Sequence, residues 1–454
     1  MSSTAPGLSE ARSFDSLLEG RSIGRFQVLI ISVCAVISMV DGFDTQVIAL
    51  AANGIAQQFG ANVADFGPIF GIGLFGGLVG AIVFGLLGDR FGRKPVLLIS
   101  VAIVAIGSLV TPFTETTTTL LIVRFVTGLG LGGALPGVIS LTSEYAPVRR
   151  RAATVALMFC GFPLGAVVGG LLSTVLIPAF GWASVFWLGG LVPVILIPVI
   201  VFAIPESVRF LSMRSDKRAL ARVLKRLRLP EEYAPSIQPA PAEERAPLPS
   251  LFTQGRAVGT LMLWLILLLS LLMTYFLTNW IPLVATQNGL DARTGILGAV
   301  MLNLGSIVGS IVLGRFVRAR PTATIVAGYL LGAVAIAAIG QVAHSAPGLL
   351  ITTFLAGFFA IGAQLCTVGL CATFYSDALR ATGVGSAMGV ARLGAILGPV
   401  IGGVLLAGGV STPIVFVVIA IVSVVAALAM LVMGLLVLRR RSVQTAPRAA
   451  VAHA

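Results

Sequence analysis

Gly85-Leu86-Leu87-Gly88-Asp89-Arg90-Phe91-Gly92-Arg93-Lys94 sets a knot of charge between two apolar runs, 66–87 and 95–113, that carry none. Each run is close to the ~20 residues a helix needs to cross a bilayer. The segment therefore reads as a short polar connection at a membrane face. The same alternation continues along the chain. Of 454 residues, 57% are hydrophobic and only 10% charged, and the mean hydropathy is +1.03; a soluble protein carries about a quarter charged residues. Apolar segments near 26–51, 66–87, 95–113, 118–141, 152–177, 183–204, 257–286, 295–314, 322–343, 347–371, 384–408 and 412–437 predict an all-α membrane protein of twelve transmembrane helices.

The polar stretch 205–256 divides these spans into two sets of six. The expected organisation is a tail 1–25, a bundle 26–204, a central loop 205–256, a second bundle 257–438 and a tail 439–454. Within the loop, 216–229 predicts a basic amphipathic helix and 230–249 a flexible linker. If the N-terminus is cytoplasmic, every one of the 30 Lys and Arg falls in a cytoplasmic piece except Arg124, Arg293 and Arg392. The positive-inside rule then puts both termini inside, in the inner (plasma) membrane. The first 25 residues lack the apolar core of a cleavable signal. The net charge of +13 is spread over membrane-flanking loops, which argues against a nucleic-acid partner. Cys34, Cys160, Cys366 and Cys371 lie inside apolar segments without metal-ligand spacing to a His, so neither metal nor cofactor is expected.

The halves repeat. Gly161, Gly165, Gly169 and Gly170 recur 233 positions later as Gly394, Gly398, Gly402 and Gly403, and Glu144 recurs as Asp377. Gly88-Asp89-Arg90-Phe91 has a shorter counterpart in Gly314-Arg315-Phe316. Such a repeat implies two six-helix bundles related by an axis along the membrane normal, with a substrate path between them. Small residues every fourth position also suit close helix packing.

These motifs resemble the major facilitator superfamily. Gly85 to Lys94 matches its G-x-x-x-D-R-x-G-R-K signature between spans two and three, and Pro205-Glu206-Ser207-Val208-Arg209-Phe210 follows span six as in such transporters. Asp41-Gly42-Phe43-Asp44, Arg124 with Phe125-Val126-Thr127-Gly128-Leu129-Gly130, Glu144, and Arg380-Ala381-Thr382-Gly383 leading to Arg392-Leu393-Gly394 are similar to the aromatic acid:proton symporter family. The resemblance implies the major facilitator fold and proton-coupled import of small aromatic acids of the hydroxybenzoate or hydroxyphenylpropionate class. The second signature copy, Gly314 to Pro321, lacks the Asp.

Ionisable groups inside lipid cost at least about 2.5 kcal/mol each at mid-depth, so they mark function or a paired structure. Asp41 and Asp44 are the acids well inside a span. Three residues apart on a helix, they share a face, and two close carboxylates favour uptake of one proton; the pair is the candidate for proton coupling. Counted from a span end near Leu50, they lie in the outer half, where Arg124 can meet them. Arg124 and Arg392, about 12 Å in from the cytoplasmic face, are the candidate ligands of a substrate carboxylate, because guanidinium matches it bidentately. Phe159, Tyr275, Asn279, Trp280 and Asn303 are candidate pocket walls. Asp89, Arg90, Arg93, Lys94 and Glu144 are candidates for a cytoplasmic charge lock. Arg149 to Arg151 lie near it in topology. The competing assignment is an exporter of drugs or other metabolites, or a carrier of another organic anion. The chain holds no phosphate loop and no nucleophile with a His in reach, so it does not read as an enzyme. Two complete halves make a monomer sufficient.

Overall fold

The computed structural model describes residues 14–19, 21–237 and 247–438. Among these, twelve helices are long and apolar enough to cross a membrane: Arg25–Phe59, Ala64–Phe91, Arg93–Phe113, Thr117–Tyr145, Ala153–Phe180, Ala183–Ala203, Ala257–Gln287, Ala292–Val317, Pro321–Val342, Ala346–Phe374, Leu379–Ala407 and Thr412–Leu436. They are called spans one to twelve below. The expected tail 439–454 and residues 238–246 of the linker lie outside the described residues.

Three local features differ from the sequence reading. Span one does not stop near Leu50 but continues to Phe59. Its extra turns carry the fully buried Ile55, and Asn53 accepts a hydrogen bond from Thr286 at 2.8 Å, so the polar residues there are satisfied without ending the helix. Span five is two helices, Arg151–Phe159 and Gly161–Phe180. Pro163 explains the break, since it lacks the N–H that would bond Phe159 and its ring crowds that carbonyl. In the loop, Lys217–Arg226 forms the expected basic helix, with Asp216 capping it by accepting from the Ala219 N–H at 2.9 Å. The start of the expected flexible linker is ordered instead: Glu231–Ser236 is a 3-10 helix, and Ala234 and Ile237 are buried.

The chain divides into two compact units, Met1–Val47 with Ile72–Gly169 and Leu176–Glu243, and Ile48–Gly71 with Gly170–Val175 and Glu244–Ala454. The division does not fall at the chain's midpoint, because the later turns of span one, the start of span two and a piece of span five join the second unit. In the first unit one apolar core runs from Ile30, Ile37 and Leu141 through Ile200 to Leu220, Val223, Leu224, Leu229 and Ile237. The loop helix and the short helix Phe14–Leu18 therefore belong to this core. Phe14 meets the buried Tyr145 ring edge-on at 6.2 Å between centroids, and Arg151 pairs with Asp15 at 2.7 Å.

The 233-residue repeat extends from the sequence into the packing. In the first unit Gly161 and Gly165 lie against the carbonyls of Ala35 and Met39, and Gly169 against the Phe43 ring. In the second unit Gly394 and Gly398 lie against the carbonyls of Leu268 and Leu272, and Gly402 against Phe276 and Trp280. Ala35, Met39 and Phe43 are separated from Leu268, Leu272 and Phe276 by that same interval. Within the second unit, Gly170 faces Val300 and Gly403 faces Gly67, again equivalent pairs. Asn53 and Thr286, the hydrogen-bonded pair, are each other's counterparts. Close backbone approach is what these glycines permit. Gly165→Ala would drive a methyl into the Met39 carbonyl, and a thermal melt of the purified protein is expected to register a loss of about 1–3 kcal/mol.

Candidate functional site

Asp44 lies near the middle of the 35-residue helix Arg25–Phe59, deeper than a span ending at Leu50 implied. It is 1% exposed and Arg124 is 3% exposed. The guanidinium forks onto the carboxylate, with Nη2 donating to Oδ2 at 2.7 Å and Nη1 to Oδ1 at 3.2 Å. Nη2 also donates to the Asp44 carbonyl at 3.3 Å, and Ser108 Oγ donates to Oδ1 at 3.2 Å. The Phe186 ring lies 5.9 Å from the guanidinium carbon. Arg124 Nε is buried with no hydrogen-bond partner. The charges balance, but the pair is highly exposed to perturbation: removing one partner of a buried ion pair strands the other at a cost of about 3–5 kcal/mol.

Asp41 faces different surroundings. It is half-buried and lines a cavity in the first unit with Ser38, Val101, Leu131, Ala134 and Pro193. The two aspartates were expected to act on each other as neighbouring carboxylates. The dominant partner of Asp44 is instead the Arg124 guanidinium.

Arg392 lies at the midpoint of the 31-residue helix Asp377–Ala407, because that helix begins earlier than the expected span. It is half-buried, and among the described residues it has neither a hydrogen bond nor an acid partner. The chain from Ala257 onward contains only two acids, Asp291 and Asp377, and both flank or begin helices. An arginine does not deprotonate in a protein. The chain from Ala257 onward therefore carries a positive charge at mid-helix with no acid within its spans.

The candidate wall residues divide between the units. Phe159, in the first, is 37% exposed beside the helix break. Its repeat counterpart is Arg392. Tyr275 and Asn303 are half-buried in the second unit. The Asn279 amide is buried and donates to the Tyr275 carbonyl of its own helix at 2.7 Å, and Asn303 donates to Ala299 at 2.9 Å. Trp280 does not line an open surface. It is fully buried, its indole N–H bonds the Pro399 carbonyl at 3.0 Å, and its ring meets Phe70 at 5.5 Å.

At the end bearing the basic loops, Asp89 and Arg93 form an ion pair one turn apart. Arg90 stacks on Phe91 at 5.4 Å, and its carbonyl accepts from Arg214 at 3.2 Å. Glu144 was expected beside the signature charges. It holds Ser207 instead, whose hydroxyl donates to its two oxygens at 2.9 and 2.8 Å, and it accepts from Ser140 at 2.8 Å. Arg151 bonds the Ser143 carbonyl and Asp15. The acid that grips the signature is Glu206, which the sequence places in the motif after span six without a role of its own. Its Oε1 accepts the backbone N–H of Arg93 at 2.7 Å and of Lys94 at 3.1 Å. Span three starts at Gly92 without a side-chain cap of its own, so Glu206 supplies one from the end of span six. Gly92 has φ +103, and a methyl there would overlap Glu206. The signature glycine thus makes room for the acid that caps the helix. The sequence clue was its place in the Pro205 to Phe210 motif just past span six, together with a span three whose N-cap is a glycine. Glu206→Ala is expected to lower stability by about 1–2 kcal/mol in a denaturation series, and Glu206→Gln by less, since the amide oxygen still accepts.

The family model of the Major Facilitator Superfamily matches residues 34–339 and 304–453. The chain is 35% identical to a gallate transporter of Pseudomonas putida, over 95% of this chain and 97% of that protein. It is 38% identical to the 3-(3-hydroxy-phenyl)propionate transporter of Escherichia coli K12, over 85% and 88%. It is 35% identical to the 4-hydroxybenzoate transporter PcaK of Acinetobacter baylyi, over 92% and 94%. In fold it is similar to the E. coli xylose transporter XylE in a partially occluded inward-open conformation, with a TM-score of 0.70 and 16% identity over 91% of this chain and 98% of the other. A bacterial homologue of the lysosomal transporter Spinster gives a TM-score of 0.71 at 15% identity, over 92% and 99%.

Proposed function

Because the chain belongs to the major facilitator superfamily, we propose that it is a secondary transporter that imports small aromatic carboxylates together with protons, by alternating access across the inner membrane. The relatives named for gallate, hydroxyphenylpropionate and 4-hydroxybenzoate support the substrate class. The distribution of Lys and Arg supports cytoplasmic termini.

The observation that carries this reading is Arg392, which no acid pairs with among the described residues. A guanidinium held inside a membrane span without an acid partner is a site awaiting an anion, and its planar fork fits a carboxylate. Asp44 and Arg124 supply the coupling. A proton delivered to Asp44 dissolves the ion pair and leaves Arg124 as a buried cation, a state that a bound anion relieves. Loading one proton with one carboxylate adds no net charge to the membrane interior, which keeps the desolvation cost low. Asp41, in its largely apolar cavity, is the second proton-coupling candidate. Tyr275, Asn279, Asn303 and Phe159 remain proposed walls for the ring. Trp280 serves the packed state, with Phe70, Gly67 and Gly403. Asp89, Arg90, Arg93, Lys94 and Glu144, joined by Glu206, are proposed to stabilise the cytoplasmic end of the first bundle as the transporter changes state.

Uptake of labelled 4-hydroxybenzoate and gallate into proteoliposomes tests the proposal. Accumulation driven by an inward proton gradient and abolished by an uncoupler is the expected result. Accumulation indifferent to the gradient would remove proton coupling, and no movement of any aromatic acid would remove the substrate class.

A further inference from the structure

Where span six ends, two basic side chains of the first unit are held and a third acts on them electrostatically. Lys94 Nζ donates to the Val201 carbonyl at 2.7 Å, and Arg226 Nη1 donates to the Phe202 carbonyl at 3.2 Å. These carbonyls end a helix and carry its partial negative charge, so they fix both cations in place. The Arg226 guanidinium also stacks on Phe26 at 5.6 Å. Arg222, one turn earlier on the loop helix, is close enough to act electrostatically on Lys94, as Arg226 does. Arg222 is exposed and has no hydrogen bond or ion pair among the described residues. The acid in reach, Glu206, accepts the N–H groups of Arg93, Lys94 and Ser207 on one oxygen and is the single acid that acts on Lys94, against Arg226 and Arg222. Residues 214–228 hold Arg214, Lys217, Arg218, Arg222, Lys225, Arg226 and Arg228 against a single acid, Asp216. In the last three turns of span six, large apolar side chains are exposed: Phe202 is 76% exposed and Ile195 57%. Cationic groups fixed above an outward apolar helix face match the two parts of an anionic phospholipid.

We propose that Lys94, Arg222 and Arg226 bind the phosphate headgroup of an anionic phospholipid, with its acyl chains along Ile195 and Phe202. The buried face of the loop helix, Leu220, Val223 and Leu224, docks it on the bundle, so the site is built into the protein rather than carried on a free tail. The proposal rests on the cytoplasmic placement of this end but not on the transported substrate. A lipid held here would join the central loop to the end of span six.

Native mass spectrometry of the full chain with phosphatidylglycerol and phosphatidylcholine tests this. The wild-type protein is expected to retain phosphatidylglycerol preferentially. Arg222→Gln/Arg226→Gln is expected to bind it about ten-fold more weakly, while the charge-matched control Arg315→Gln/Arg318→Gln behaves as wild type. Should the double variant misfold, the single Arg222→Gln, which breaks no described bond, carries the test with a loss of about three-fold. Equal losses in the test and control pairs would reduce the effect to diffuse charge and overturn the proposal. Displacement of the lipid by millimolar inorganic phosphate would also overturn it, in favour of a free-anion site. Neither result touches proton-driven uptake of aromatic acids, which is measured separately.

Discussion

Arg392→Ala is expected to weaken binding of 4-hydroxybenzoate or gallate about a hundred-fold while leaving the folded protein as stable as before or more so. Truncating one partner of a buried, hydrogen-bonded charge pair costs about 2–5 kcal/mol, which spans this range. The stability half of the prediction follows from the missing counter-charge. Among the described residues Arg392 has no partner to strand, and its removal relieves the membrane interior of a charge that costs at least about 2.5 kcal/mol. Substrate affinity from counterflow and a melting curve of the same preparation check both halves. Arg392→Lys keeps the charge and loses the fork, so an intermediate affinity is expected. A variant with normal affinity and a lowered melting temperature would make Arg392 a structural residue.

Asp44→Ala should behave in the opposite way. It strands Arg124 in a site where the arginine is 3% exposed, and a loss of about 3–5 kcal/mol is expected together with loss of uptake. The double variant Asp44→Ala/Arg124→Ala removes both charges and should recover most of the stability, because neither is left unpaired. Concentrative uptake should not return with it. That separation distinguishes a coupling pair from a structural clamp: a clamp replaced by two neutral residues would give back transport along with stability.

Much of the fold was legible because lipid imposes a coarse requirement. Charge-free runs near twenty residues could only be spans, and a shared interval of 233 marked the two halves. That interval proved to govern packing partners as well, down to Asn53 bonding its own counterpart Thr286. The meeting of Arg124 with Asp44 followed from the cost of leaving either alone in lipid. What escaped the sequence was local. Asn53 looked like the end of span one, yet it finds a hydroxyl and Ile55 is buried, so the helix persists to Phe59 and ends at Gly60. Residues 231–237 looked like linker because Pro and Glu recur through 230–249, while Ala234 and Ile237 supplied enough apolar surface to dock. Glu206 was hidden for another reason. Its partners are backbone N–H groups, which have no signature in side-chain spacing. Trp280 was assigned to a pocket wall by residue type alone, and its burial depends on Phe70 and Pro399, far away in sequence.

The account turns on uptake of a proton at Asp44 together with an aromatic anion. The most direct measurement adds 4-hydroxybenzoate to the outside of proteoliposomes that enclose a pH-sensitive dye, with no imposed gradient. The wild-type protein should acidify the lumen as substrate enters, and Asp44→Ala/Arg124→Ala should not, even where it still equilibrates labelled substrate by counterflow. Substrate entry with equal acidification in both proteins would contradict it.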